Sequence, residues 1–148
     1  MPGDGKASWP NYNFGCGGSF RGEDMLTVIS IAVLGALGCV TRYYLSGWTY
    51  EKMGWQFPWG TLSVNVVGAF IIGLLMELSL RSAHIPPTLR IGLVTGFLGG
   101  LTTFSTFSYE TFRLLETGHY LTAFSNVIVS VSICLFFTWM GIVVAKAL

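Results

Sequence analysis

The stretch Gly96-Phe97-Leu98-Gly99-Gly100-Leu101-Thr102-Thr103-Phe104-Ser105-Thr106-Phe107-Ser108 decides how this chain is read. It lies inside a run from Ile91 to Tyr109 that holds no charged residue. Such a run is long enough to cross a bilayer, which takes roughly 20 mainly apolar residues in a helix. Its centre nevertheless carries three glycines and five hydroxyl side chains. Irregular backbone at membrane depth is tolerated only where protein buries it or where it lines a wet cavity. The segment therefore predicts a transmembrane helix broken at its centre.

The rest of the chain agrees with a membrane setting. Its 148 residues are 52% hydrophobic and only 10% charged, against about 25% charged in a soluble domain. The mean hydropathy is +0.62. Four apolar stretches are expected to be helices, because lipid offers no partners to open strands. They run from about Met25 to Leu45 (closing near Arg42), from Trp59 to Leu80, from Thr88 to Leu115 after the Pro86-Pro87 breaker, and from Tyr120 to Leu148. Trp48, Trp55, Trp59, Tyr109 and Tyr120 stand near the span ends, where amphipathic rings favour the headgroup layer. Residues 1–24 are rich in Gly, Pro, Asn and Ser and read as a disordered extension, with Met25 as the expected natural start. They are no signal peptide, since no basic start leads into an apolar core.

Charge narrows the function. The net charge is +1 and the eight Lys and Arg are scattered, so no nucleic-acid partner is indicated. Four spans put both termini on one side, with Arg81, Arg90 and Lys146 there and Arg42, Lys52 and Arg113 opposite. Outside the tail that is three against three, and orientation follows the Lys/Arg bias. A chain without bias can insert both ways, which makes an antiparallel homodimer a candidate; short loops that simply carry few charges are the plainer reading. Cys16, Cys39 and Cys134 show no metal-ligand spacing and no disulfide framework.

Two polar stripes flank the broken span. Thr61, Asn65, Ala69 and Gly73 recur every fourth residue, as do Thr122, Asn126, Ser130, Cys134 and Thr138, so each set shares a helix face. Helix–helix adhesion explains either stripe alone. Two stripes beside a broken helix favour a permeation path. Proton-coupled transport usually needs an intramembrane carboxylate or histidine, and His84 and His119 sit in short connections. Amide and hydroxyl donors suit a small anion, which must enter and leave.

In the broken span, Gly92, Gly96 and Gly100 share a face that admits a close neighbour. Opening is expected at Gly99-Gly100, since each glycine weakens a helix by roughly 1 kcal/mol relative to alanine. Carbonyls freed there can coordinate Na⁺. Phe104 and Phe107 lie three apart on one face. Core packing is the ordinary reading of such a pair, although ring edges carry positive character that can face an anion.

Gly99-Gly100-Leu101-Thr102-Thr103-Phe104-Ser105-Thr106-Phe107-Ser108, with Trp59-Gly60-Thr61-Leu62-Ser63-Val64-Asn65-Val66-Val67-Gly68 and Gly35-Ala36-Leu37-Gly38…Arg42-Tyr43, resembles the Fluc (CrcB) fluoride channels from Met25 to Leu148. The resemblance implies an antiparallel, dual-topology homodimer of four-helix subunits in the bacterial inner membrane, with two fluoride pores. It implies that Asn65 is a pore amide and that the ring edges of Phe104 and Phe107 face fluoride. It implies that Gly99 and Thr102 give backbone carbonyls, from both copies, to a central structural Na⁺. Ser130 matches a pore hydroxyl, Thr103 and Ser108 are polar neighbours of the break, and Arg42 would draw anions to a vestibule. Asn126 and Cys134 stand where other members often have Tyr and Ser.

The chief rival is a small dual-topology drug or cation exporter, which by resemblance needs a membrane glutamate on its first helix. That helix is expected to have none. A structural membrane subunit is a second rival. A membrane hydrolase finds no Ser–His or metal cluster to work with, and no catalytic residues are expected.

Overall fold

The computed structural model of the protein describes residues 22–81 and 85–148, apart from the side chain of Glu23. The expectation of disorder for the N-terminal extension falls outside the described residues up to position 21, as does His84. The described chain is helical: α1 (Gly22–Met53), α2 (Trp59–Arg81), α3 (Pro87–Ile91), a π-helical segment (Gly92–Leu98), α4 (Gly99–Leu101), α5 (Phe104–Glu116) and α6 (Tyr120–Ala147). By length and composition it offers four spans able to cross a bilayer, the third being composite, Pro87–Glu116.

Helix ends follow local chemistry. Pro87 opens the third span at its first turn, where a missing N–H costs nothing. Gly54 and Gly118 take positive φ, 83° and 78°, and stop α1 and α5 in the left-handed conformation that glycine adopts freely. The expected closure of the first span near Arg42 needs correction. The helix continues for eleven further residues to Met53, because arginine is a good helix former and the stop comes only at Gly54. Arg42 Nη1 reaches the Thr102 carbonyl at 3.4 Å.

The helices pack as two parallel pairs. The N-terminal half of the third span lies along α1, and α2 lies along α6. Small residues bring each pair together. A side chain on Gly96 would strike the Ile31 carbonyl at 2.8 Å, and one on Gly100 the Gly35 carbonyl at 2.5 Å. Gly38 sits in the same way on the Phe97 carbonyl, Gly73 on the Thr138 carbonyl and Gly141 on the Phe70 carbonyl. Arg81 Nη1 donates to the Lys146 carbonyl at 3.0 Å, so α2 and α6 end on the same side. Val64, Leu98 and Leu101 form a small closed core where α2 meets the third span.

The third span is interrupted, though not where glycine propensity placed the opening. Gly99 and Gly100 remain helical. The chain extends instead at Thr102 (φ −87°, ψ 159°) and Thr103 (φ −152°, ψ 115°). Before the break the helix widens, and Gly99 N–H donates to the Val94 carbonyl five residues back. Such π turns recur at functional sites.

Candidate functional site

The break is held by α2. Asn65 Oδ1 accepts from Thr103 N–H at 2.8 Å, and Asn65 Nδ2 donates to the Thr103 carbonyl at 3.1 Å. One carboxamide thus satisfies both backbone groups of an extended residue, as a neighbouring strand would. Three residues on, Gly68 gives room to the methyl group of Thr102, which a side chain there would strike. Thr103 then caps α5, its Oγ1 accepting from Thr106 N–H at 3.1 Å in the manner of helix N-caps. Thr103 Oγ1 also pairs with Thr106 Oγ1 at 2.9 Å.

These bonds release two carbonyls. In a continuous helix Gly99 and Thr102 would accept from the N–H groups of Thr103 and Thr106. Both donors are diverted, one to Asn65 and one to Thr103 Oγ1. The freed pair are the two carbonyls expected to bind Na⁺, and they are hard oxygens of the type that alkali cations take at unwound helices. Thr102 O already receives Arg42, but a carbonyl has two lone pairs and keeps one available. A single copy offers two such oxygens, so a fuller shell needs oxygens from elsewhere. Among the described residues no group of three or more His, Cys, Asp and Glu converges.

Beside the break runs an open groove of about 510 Å³. Asn65, Gly99, Thr102, Thr103, Phe104, Phe107 and Ser130 all line it, joined by Cys134 and Thr138 of α6. Of the expected site residues only Ser108 and Arg42 are absent from its wall. Ser108 is exposed and turns its hydroxyl back to the Phe104 carbonyl at 2.9 Å. Arg42 approaches the break from α1. The Phe104 and Phe107 rings stand 5.6 Å apart, tilted by 41°, and Phe104 is 78% exposed. The positive end of α5 meets the groove at Phe104, which favours negative charge.

A polar ladder leads from the groove into α5. Ser130 Oγ donates to Asn126 Oδ1 at 3.2 Å, and Asn126 Nδ2 donates to Thr111 Oγ1 at 2.8 Å. Asn126 is 1% exposed, so its amide is paired rather than solvated. Next to Thr111 stands Glu110, which the sequence reading passed over. Its Oε1 accepts from Tyr50 OH at 2.8 Å, and its Oε2 is buried with no hydrogen-bond partner in the protein. A second cavity of about 300 Å³ opens there between Tyr50, Trp55, Tyr109, Glu110 and Arg113. The available signal was position: Glu110 follows the uncharged run by one residue. Elsewhere the charges are ordinary. Glu77 pairs with Arg81 at 3.1 Å, and His119 Nδ1 lies 3.0 Å from Thr117 Oγ1 in the exposed α5–α6 turn.

Fold and site together define a small multi-pass membrane protein with an interrupted span, whose extended backbone faces a groove of neutral polar and aromatic groups. The pattern described as "CrcB-like protein, Camphor Resistance (CrcB)" matches residues 29–142, and the chain belongs to that family. It is 70% identical over 124 residues to the "Fluoride-specific ion channel FluC" of Geotalea uraniireducens, covering 84% of this chain and 100% of that protein. It is 64% identical to the protein of that name from Geobacter metallireducens and 58% identical to that from Geobacter sulfurreducens, each with the same coverage.

Proposed function

We propose that this protein is a fluoride-selective ion channel that lets fluoride leave the cell passively across the bacterial inner membrane. The observation that carries the reading is the single groove in which uncharged donors and two phenyl rings meet at a break in the helix. Fluoride is small and strongly hydrated, so a path must offset its dehydration without holding it. Ring edges and the positive end of α5 supply modest, uncharged attraction of that kind. The relatives' name and the family membership point the same way.

The working unit is an antiparallel homodimer of dual topology. Phe104 presents most of its ring outside a single copy, and the groove is open along one side, so a second copy would close it. Lys and Arg give little orientation bias: Arg81, Arg90 and Lys146 stand at one end, Lys52 and Arg113 at the other, and Arg42 is engaged with the break. Gly99 and Thr102 of both copies would hold a structural Na⁺ through their carbonyls. When bound, that ion would add positive potential beside the anion path and tie the copies together.

The exporter reading gains no support. Helix α1 is longer than the sequence suggested and includes Glu51, yet that residue is exposed in its last turns. The test is efflux from proteoliposomes loaded with fluoride or with chloride, followed by ion-selective electrodes. Fluoride is expected to run out while chloride stays. Trapped fluoride, or proton-driven efflux of a cationic dye instead, overturns the proposal.

A further inference from the structure

The sequence makes Asn65 a donor to a permeating ion, but the geometry points to a different task. We infer that Asn65 is a positioning residue, and that its effect on permeation passes through the Thr103 peptide. The inference rests on the channel reading for its flux measurement, though its geometry does not. Asn65 spends its carbonyl and one N–H on the two backbone groups of Thr103, at 2.8 and 3.1 Å. Thr103, with Thr102 before it, stays extended between two helical segments, at φ −152° and ψ 115°. It is 8% exposed, so its peptide groups need partners inside the protein.

The alternative partner for Thr103 N–H is the Gly99 carbonyl, four residues back. Taking that bond would carry α4 on into α5 and erase the break. Asn65 therefore competes directly with helix continuation. Gly68, one turn along the same face of α2, accommodates the Thr102 methyl that accompanies the extended form. Asn65 holds the Thr103 peptide groups and Gly68 leaves room for the neighbouring Thr102 methyl, both from α2. Through them α2 decides that the Gly99 carbonyl is free, where the cap on α5 begins, and where the Phe104 ring stands. A donor that only greeted passing ions would have no reason to offer its carbonyl oxygen to a backbone N–H.

A double-mutant cycle separates the two roles. One arm is Asn65→Ala. The other replaces the Thr103 amide by a backbone ester, which removes the N–H and leaves the side chain. The ester is expected to lower fluoride flux by about tenfold, the scale of one buried hydrogen bond, and Asn65→Ala, which removes two, by at least as much. The combination is expected to lose no more than Asn65→Ala alone. Losses that multiply, to about a hundredfold, overturn the inference and return Asn65 to the pore wall. A wild type that carries no fluoride would instead defeat the channel reading itself. Amide hydrogen exchange of the unmodified protein provides a check that does not depend on flux or on variants that fold. Thr103 N–H is expected to be protected at least tenfold over the Phe104 and Ser105 N–H groups of the first turn of α5, which precede the intrahelical ladder. Equal exchange at these positions refutes the clamp.

Discussion

Thr103→Val tests the cap that follows the break. The two side chains have nearly the same shape, so the change removes a hydroxyl and little else. That hydroxyl accepts from Thr106 N–H at 3.1 Å and pairs with Thr106 Oγ1 at 2.9 Å, in a residue only 8% exposed. Loss of an N-cap costs about 1 kcal/mol. Thr106 itself is exposed, so water takes up its hydroxyl and little is added to that loss. A loss of about 1 kcal/mol corresponds to roughly a fivefold fall in the folded-to-unfolded ratio. Reversible denaturation in detergent or lipid measures it, with fluoride efflux from liposomes as the second reading. Thr103→Ser keeps the oxygen and should restore most of both. A valine variant as stable and as active as the wild type, or a serine variant as damaged as valine, would refute the reasoning.

Gly68→Ala places a methyl group on the Thr102 side chain; overpacking of this kind costs about 1–3 kcal/mol, and denaturation should show it together with reduced flux. Phe104→Ile should lower fluoride flux severalfold in the electrode assay while each copy keeps its fold, because within one copy the ring is 78% exposed and stands against the ring of Phe107. Tyr50→Phe removes the donor to Glu110 Oε1 and leaves a second carboxylate oxygen unpaired, a loss of about 1–3 kcal/mol that unfolding measurements in lipid can detect.

Hydropathy exposed the spans because lipid admits few alternatives to a long apolar helix, and Trp59, Arg81 and Tyr120 fall at observed helix ends. The existence of a break was also legible, since glycines and hydroxyls crowd one short segment. Its position was not. Glycine propensity favoured Gly99-Gly100, but those residues stay helical because Gly100 packs against the backbone of α1. The opening lies where Asn65, 38 positions away in sequence, captures Thr103, and a tertiary bond of that range leaves no local trace. Ser108 was grouped with the site by proximity in sequence. At 3.6 residues per turn it lies about 40° to one side of Phe104, and Phe107 about 60° to the other, so the groove takes the phenylalanine and leaves the serine out. Arg42 looked like a span terminus because its partner, the Thr102 carbonyl, could not be seen. Glu110 was missed because an uncharged run was counted only as far as the residue before it.

The open phenyl ring at the mouth of the break has a thermodynamic consequence. In water, covering such a ring would be favoured by the release of solvent. Within a bilayer the hydrocarbon tails are as apolar as the ring, and that driving force is absent. Whatever seals this flank must gain instead from close steric fit and from the few polar atoms around Thr102 and Thr103. Its grip should then be sensitive to a single added methyl group on either surface and nearly indifferent to ionic strength, the reverse of what a surface held by charges would display.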